Sequence, residues 1–435
     1  MAVVVPRSWL SDAHVQDIRR VLIMQPKPTF NPISRKYVPG TPVHFYLSDE
    51  AEVRVPYAYA AASLLQRAVN QDRPHPGVEL AFEIPLDVKR DQVDIVQEAW
   101  QQLWSRGTTI LELPPGTGKT MIATYLVHLV KKVALILIHR DPLIQQWANT
   151  IYKAHSGASV WVVGHLVPDR PVTHIVCMYE RIDQLSPEVR AAVGVLIIDE
   201  AHRFCTPDKI QALLAVQPSH IVACTATLER EADGMEIMMT ALCGQHSVFR
   251  PCSKAFNYYP YFTQLYVPEM KGNRKWDETL KYIFRSDYRN GIALNMIQQY
   301  STHKILVTCS YVKEHAQPFY ELLVRNGVES SLYAGNKQHY VDARVVVISL
   351  GKGGEGFDPQ SLVKSVVQGA VKPFDLLLNL TSWKNNGLTY QVFGRVLRAF
   401  NPSIVDFYDD NRIIQRHQQK RESWVKRNGG TVVRM

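Results

Sequence analysis

The chain has 435 residues and a net charge of +9, from 49 Lys and Arg against 40 Asp and Glu. A hydrophobic share of 46% excludes a disordered chain, and the length exceeds what one core serves, so two or three domains are expected. No stretch reaches the roughly 18 uninterrupted apolar residues of a membrane helix, so no membrane partner is expected.

Met1 to Leu10 has neither a cationic start nor a cleavage-like site, so no signal peptide is read there. Cys177, Cys205, Cys224, Cys243, Cys252 and Cys309 form no CxxC pair. Free thiols in a reducing intracellular compartment, cytoplasm or nucleus, fit better than zinc or disulfides. The basic balance favours a polyanion such as nucleic acid, and is also met by a plain basic surface.

In chain order, Ser11 predicts the cap of a helix running toward Leu22, with Val15, Ile18, Val21 and Leu22 at helical spacing. Pro26, Pro28, Pro32, Pro39 and Pro42 then break regular structure. Short strands are expected at Val43–Leu47 and Glu52–Val55, and a helix at Ala58–Val69. Residues 1–85 carry no assignable motif and read as a small N-terminal accessory domain.

Residues 86–250 alternate helix with apolar strand. Helices are predicted at Val93–Trp104 and Lys119–Val130, and strands at Thr109–Leu113, Val133–Ile138, Val160–Val163, His174–Met178, Val195–Ile198 and His220–Cys224. Unbroken β-branched runs between helices predict a parallel sheet covered on both faces. Residues 251–285, rich in aromatics (Phe256, Tyr258, Tyr259, Tyr261, Phe262), read as an irregular connection between lobes. A second alternating block over 286–435 has strand candidates at Lys304–Thr308, Ser331–Tyr333, Arg344–Ile348, Leu376–Leu380 and Ile404–Phe407. The tail after Asp410 reads as a basic helix ending in a disordered Asn428-Gly429-Gly430 stretch.

Leu113-Pro-Pro-Gly-Thr-Gly-Lys-Thr120 joins a predicted strand to a predicted helix, the setting a phosphate loop requires. Gly116 and Gly118 permit the tight turn that aims backbone N–H groups at phosphate oxygens. Lys119 can reach the terminal phosphates, and Thr120 can offer a hydroxyl to Mg²⁺. Further on, the apolar run 195–198 ends in Asp199-Glu200-Ala201-His202, a metal-binding carboxylate followed by a second carboxylate. Together these predict an ATPase using ATP and Mg²⁺. Arg395 and Arg398 lie three apart on one helix face; they suit either a solvated helix or charge stabilisation on a γ-phosphoryl group.

The ordered set resembles superfamily 2 helicases over about three quarters of the chain. Motif Ia is matched by Ile138-His139-Arg140 through Gln146-Trp147. Met178-Tyr179-Glu180-Arg181 is similar to the family's Tyr-Glu-Arg segment. Asp199–His202 is similar to the DEAH form of motif II, and Thr225-Ala226-Thr227 to motif III. Gly351–Asp358 is similar to motif V and Gln391–Arg398 to motif VI. Thr225-Ala226-Thr227-Leu228, Arg230 and Asp233-Gly234-Met235, with Asp287 and Arg289-Asn290, resemble the XPB/UvsW-like DNA branch. One extra residue separates Arg230 from Asp233. The size is also similar to helicases of large cytoplasmic DNA viruses, the poxvirus transcript-release type included.

The resemblance implies two tandem RecA-like parallel-sheet lobes, α/β in class, with Mg-ATP at the lobe interface. It assigns Gln92 to the adenine, and Pro115, Gly116, Thr117, Gly118, Lys119 and Thr120 to the phosphates, with Asp358 toward the ribose. Asp199 and Thr120 would hold Mg²⁺, and Glu200 would be the general base. Gln391, Arg395 and Arg398 would act on the γ-phosphate, while His202, Thr225 and Thr227 couple nucleotide state to motion. Arg140, Arg181, Thr308, Ser310, Lys352 and Lys384 would touch nucleic-acid phosphates, with Tyr311 stacking on a base. The expected function is an ATP-dependent DNA helicase or translocase, with a transcription complex as a partner and a virion as a setting if the source is viral. An RNA helicase, or a non-catalytic nucleic-acid-binding scaffold, is the alternative.

Overall fold

The computed structural model describes residues 2–25, 28–31, 36–65, 75–87, 91–114, 116–204, 206, 209–225, 237–251, 255–270, 275–337, 339–353, 372–384, 386–397 and 399–434. The chain divides into two compact units, one comprising residues 1–113 and 117–249, the other residues 114–116 and 250–435.

In the first unit, β1 (Ala2–Pro6) opens the chain and Asp12–Leu22 forms the helix predicted from Ser11. Ser11 Oγ accepts from His14 N and His14 Nδ1 accepts from Ser11 N, so two orphan donors of the first turn are satisfied reciprocally. Short pairs follow: β2 (Ile23–Met24) with β5 (Val43–His44), and β3 (Thr29–Asn31) with β4 (Lys36–Val38). β6 (Leu47–Ser48) and β7 (Glu52–Pro56) join β1 in an antiparallel sheet of order β1-β7-β6. These residues do not form a core of their own. Val3, Leu22, Val55 and Tyr57 lie in one apolar cluster with Leu213, Leu214 and Leu242. Ala2 N donates to Val216 O at 3.0 Å and Tyr57 Oη to Ser219 O at 3.0 Å.

The main sheet of this unit contains β8 (Thr108–Glu112), β9 (Ala134–Ile138), β10 (Val160–Val162), β11 (His174–Met178), β12 (Val195–Ile198), β13 (His220–Thr225) and β14 (Val248–Phe249). They run parallel in the order β10-β11-β9-β12-β13-β8-β14. Ala134–Ile138 and Val195–Ile198 are buried at every residue, as strands covered on both faces must be. Residues 77–86 strap across this unit: Val78 N donates to Lys131 O and Glu83 N to Ala154 O. His128 Nδ1 lies 2.7 Å from Leu80 O and His155 Nδ1 2.6 Å from Ala81 O.

The second unit has β15 (Phe256–Tyr266), β16 (Ile305–Cys309), β17 (Ser330–Tyr333), β18 (Val345–Ser349), β19 (Leu376–Asn379), β20 (Ser403–Asp410) and β21 (Gly430–Val432). All pair in parallel, in the order β17-β18-β16-β19-β20-β15-β21. Each unit is a seven-stranded parallel α/β sheet, the tandem RecA-like arrangement expected.

Two sequence readings are corrected here. The aromatic stretch read as irregular contains the eleven-residue β15. It contains Pro260, but Asn257 N bonds toward β20 and Tyr258 O accepts from Val433 N, so Pro260 faces the sheet edge beyond β21, where a missing N–H breaks no ladder bond. The Asn428-Gly429-Gly430 stretch, read as disordered, is a turn: Asn428 closes the helix Arg412–Arg427, Gly429 sits at φ +79°, and Gly430 pairs with Phe256. Cys177, Cys224, Cys243 and Cys309 are buried free thiols, whereas Cys205 and Cys252 lie outside the described residues.

Candidate functional site

In the first unit the candidate residues gather at the carboxyl ends of β8, β12 and β13, where ligands of open parallel sheets bind. After β8 the chain turns through Gly116 (φ +87°) and Gly118 (φ +93°) into the helix Lys119–Val130. Gly118 is doubly constrained. Its φ lies in the left-handed region, and a Cβ there would stand 2.5 Å from Gln92 Nε2.

Gln92 is buried beneath this turn. Its Nε2 donates to Thr117 O at 2.7 Å and its Oε1 accepts from Asp87 N at 2.8 Å. The carboxamide expected at the adenine thus ties the phosphate loop to the strap. Lys119 Nζ donates to Leu113 O at 2.9 Å, and Thr120 is half-buried one residue on. Pro115 lies outside the described residues.

Asp199 follows β12 and is buried. Its Oδ2 accepts from Trp147 Nε1 at 2.8 Å and its Oδ1 from Glu200 N at 3.1 Å. Burial, then the neighbouring Glu200 charge, pushes its carboxyl up to about 6, against the pull of Trp147, Lys119 and His139. Glu200 sits at φ +50° with Oε2 3.4 Å from His202 Nδ1. The same nitrogen is 3.0 Å from Thr225 Oγ1 on β13. One series of contacts therefore runs from the second carboxylate to the end of β13; Thr227 lies outside the described residues.

Burial holds His139, which faces Glu200 and Asp199, down to about 4, so it is neutral at pH 7. Arg140 is exposed after β9. Arg181 is half-buried after β11, with Nη1 3.1 Å from Val163 O.

Trp147 ends the segment similar to motif Ia, whose Arg140 is expected at nucleic-acid phosphates. Trp147 itself is fully buried, on the helix Pro142–Ala154 with Leu143 and Ile151. That i, i+4 spacing was visible in the sequence, but its partner Asp199, 52 residues away, was not.

The second unit places its candidates differently. Thr308, expected at a phosphate, is buried and donates to Asn379 Oδ1 at 2.8 Å. Asn379 donates in turn to Asp406, which pairs with Arg421 through Nε (2.8 Å) and Nη2 (3.0 Å). Arg421 Nη1 also donates to Trp383 O at 2.7 Å. This buried network fixes the centre of the sheet, and motif reading did not reveal it.

Ser310 shares a hydrogen bond with the hydroxyl of Thr381, and Tyr311 donates to Asp277 with its ring edge-on to Phe284. Burial, then Asp277, pushes the Tyr311 phenol up to about 12. Lys352 Nζ lies 5.3 Å from the Tyr333 ring centre, and Lys384 is exposed. Gln391 is buried on the helix Asn386–Phe393, and Arg395 is half-buried just after it. Asp358 and Arg398 lie outside the described residues.

Residues 86–230 match the family "Type III restriction enzyme, res subunit". Helicase 055L of Frog virus 3 (isolate Goorha), so named in a qualified way, is 26% identical over 402 residues, 89% of this chain and 88% of that protein. The DNA 3'-5' translocase XPB2 of Sulfurisphaera tokodaii is 27% identical over 220 residues, 49% of this chain and 47% of that protein. The chain resembles superfamily 2 helicases of large DNA viruses. In fold, this helicase-like chain is similar to S. cerevisiae Dbp5 bound to RNA and ADP BeF3. The TM-score is 0.54 at 11% identity, covering 78% of this chain and 89% of that one.

Proposed function

We propose that the chain is a nucleic-acid-stimulated ATPase that moves on or remodels DNA. The observation that carries this reading is the convergence of Lys119, the buried Asp199 and the half-buried Glu200 at one sheet end. A buried carboxylate with a second carboxylate beside it, and an ammonium acting on the first, suit a divalent cation. Mg²⁺ needs only one or two protein carboxylates, because it keeps waters and phosphate oxygens as most of its ligands. Asp199 and Thr120 would hold that ion, which supplies charge neutralisation on the phosphates.

In the proposed reaction Lys119 exchanges its bond to Leu113 O for ATP phosphate oxygens. Glu200 takes a proton from the water that attacks the γ-phosphorus; the bond from that phosphorus to the β,γ-bridging oxygen breaks, giving ADP and inorganic phosphate. His202 positions Glu200 and links it to Thr225. Gln391, Arg395 and Arg398 are assigned to stabilising γ-phosphoryl charge, which can be worth ~10³ or more in rate. The preference for DNA draws on the likeness to XPB2, while the net charge of +9 favours a polyanion of either kind.

The test is steady-state ATPase activity without nucleic acid and with single-stranded, duplex and forked DNA and RNA, at low and high salt, with Glu200→Gln as blank. DNA stimulation that weakens with salt is expected. Stimulation by RNA alone would replace DNA with RNA in the proposal. Wild-type turnover in Lys119→Ala or Glu200→Gln would overturn the site assignment.

A further inference from the structure

We propose that Leu166 and Val167 form an apolar wedge that enters the base stack where duplex nucleic acid meets single strand. This inference rests on the nucleic-acid reading above and adds a strand-opening element to it.

Leu166 is 96% exposed, the most exposed large hydrophobic side chain of the described first unit, and Val167 is 58% exposed. A single exposed leucine is ordinary. This pair stands on a built base. His165 N donates to Val162 O at 3.0 Å, Trp161 Nε1 to His165 O at 3.2 Å, and Arg181 Nη1 to Val163 O at 3.1 Å. Gly164 turns at φ +96°, and a Cβ there would stand 2.7 Å from Arg181 Nη1, so the guanidinium packs directly beneath the turn.

The turn follows β10, the edge strand, and projects from the sheet end that also carries Arg140, Arg181 and Glu200. An exposed apolar tip on a turn braced by Arg181 matches what nucleic acid offers at a junction: phosphates for the guanidinium, and a base step that an inserted aliphatic side chain can unstack. The charge beneath the tip favours this occupant over an apolar protein surface.

The experiment uses a partial duplex with 2-aminopurine at the junction, whose fluorescence rises on unstacking, with binding followed separately by anisotropy. Saturating wild-type chain should raise the fluorescence several-fold. The double variant Leu166→Ser/Val167→Ser should melt and bind like wild type yet give no rise, and Leu166→Phe should restore it. An equal rise in the double variant, or none with bound wild-type chain, would overturn the wedge while leaving the nucleic-acid reading intact. No binding by wild-type chain at low salt would overturn the nucleic-acid reading, and the wedge with it.

Discussion

The indole N–H of Trp147 donates to Oδ2 of Asp199 at 2.8 Å, and both side chains are buried. The pair joins the middle of the helix Pro142–Ala154 to the carboxyl end of β12. It fixes one carboxylate oxygen and resists the rise in pKa that burial and Glu200 impose.

Trp147→Phe should therefore lose the hydrogen bond, at a stability cost of about 1.5–3 kcal/mol for a bond to a charged group, with a further cost for the cavity left by the smaller ring. Asp199 would be protonated at higher pH. The acidic limb of the ATPase pH profile should move up and the Mg²⁺ concentration for half-maximal rate should increase. Unchanged pH and Mg²⁺ dependence would show that Trp147 only packs.

Gly118→Ala should weaken ATP binding and lower the melting temperature, for two separable reasons. The φ of +93° costs a non-glycine residue roughly 1–2 kcal/mol, and the new methyl meets Gln92 Nε2. Gln92→Ala alone loses the bonds to Thr117 O and Asp87 N, but adding it to Gly118→Ala removes the contact and not the backbone strain, so the double variant should lose less than the sum of the two single losses. Measured melting temperatures and ATP affinities of the three variants decide whether the contact or the backbone dominates.

Arg421→Met should destabilise the second unit by about 3–5 kcal/mol, because Asp406 is left buried without its cation. Asp406→Asn combined with Arg421→Met should cost less than Arg421→Met alone. Urea denaturation followed by Trp383 and Trp424 fluorescence measures this, and equal losses in both variants would refute the pairing argument.

Acid should destabilise the fold through its buried imidazoles. Burial holds His174 at about 3 against an ordinary 6.5, with His155 adding to the depression. The unfolded chain therefore takes up a proton near pH 6.5 that the folded chain refuses. Stability is full above that pH and falls below it, by at most about 1.4 kcal/mol per unit for one histidine. Asp199, raised to about 6, acts in the opposite sense but is common to both proteins compared. His174→Phe should lose less melting temperature than wild type between neutral pH and pH 5.

The alternation of apolar runs with helices predicted both sheets, because a parallel strand buried on two faces must be apolar throughout. Val195–Ile198, His174–Met178 and Lys119–Val130 fall where the sequence placed them. The positions of Lys119 just past a tight turn and of Asp199, Glu200 and His202 just past a strand were equally legible, because the proposed phosphate chemistry demands such side chains there. Such demands are local, so sequence spacing carries them.

Tertiary structure alone decided the partners. Trp147 under Asp199, Gln92 under Thr117 and the Thr308–Asn379–Asp406–Arg421 series join residues from 15 to 71 positions apart. A buried polar group must find a hydrogen-bond partner, but which one depends on the strand order. The same holds for Pro260 and for Gly430. Strand order placed Pro260 at a sheet edge within a stretch read as irregular, and Gly430 in β21 beside it, within a tail read as disordered.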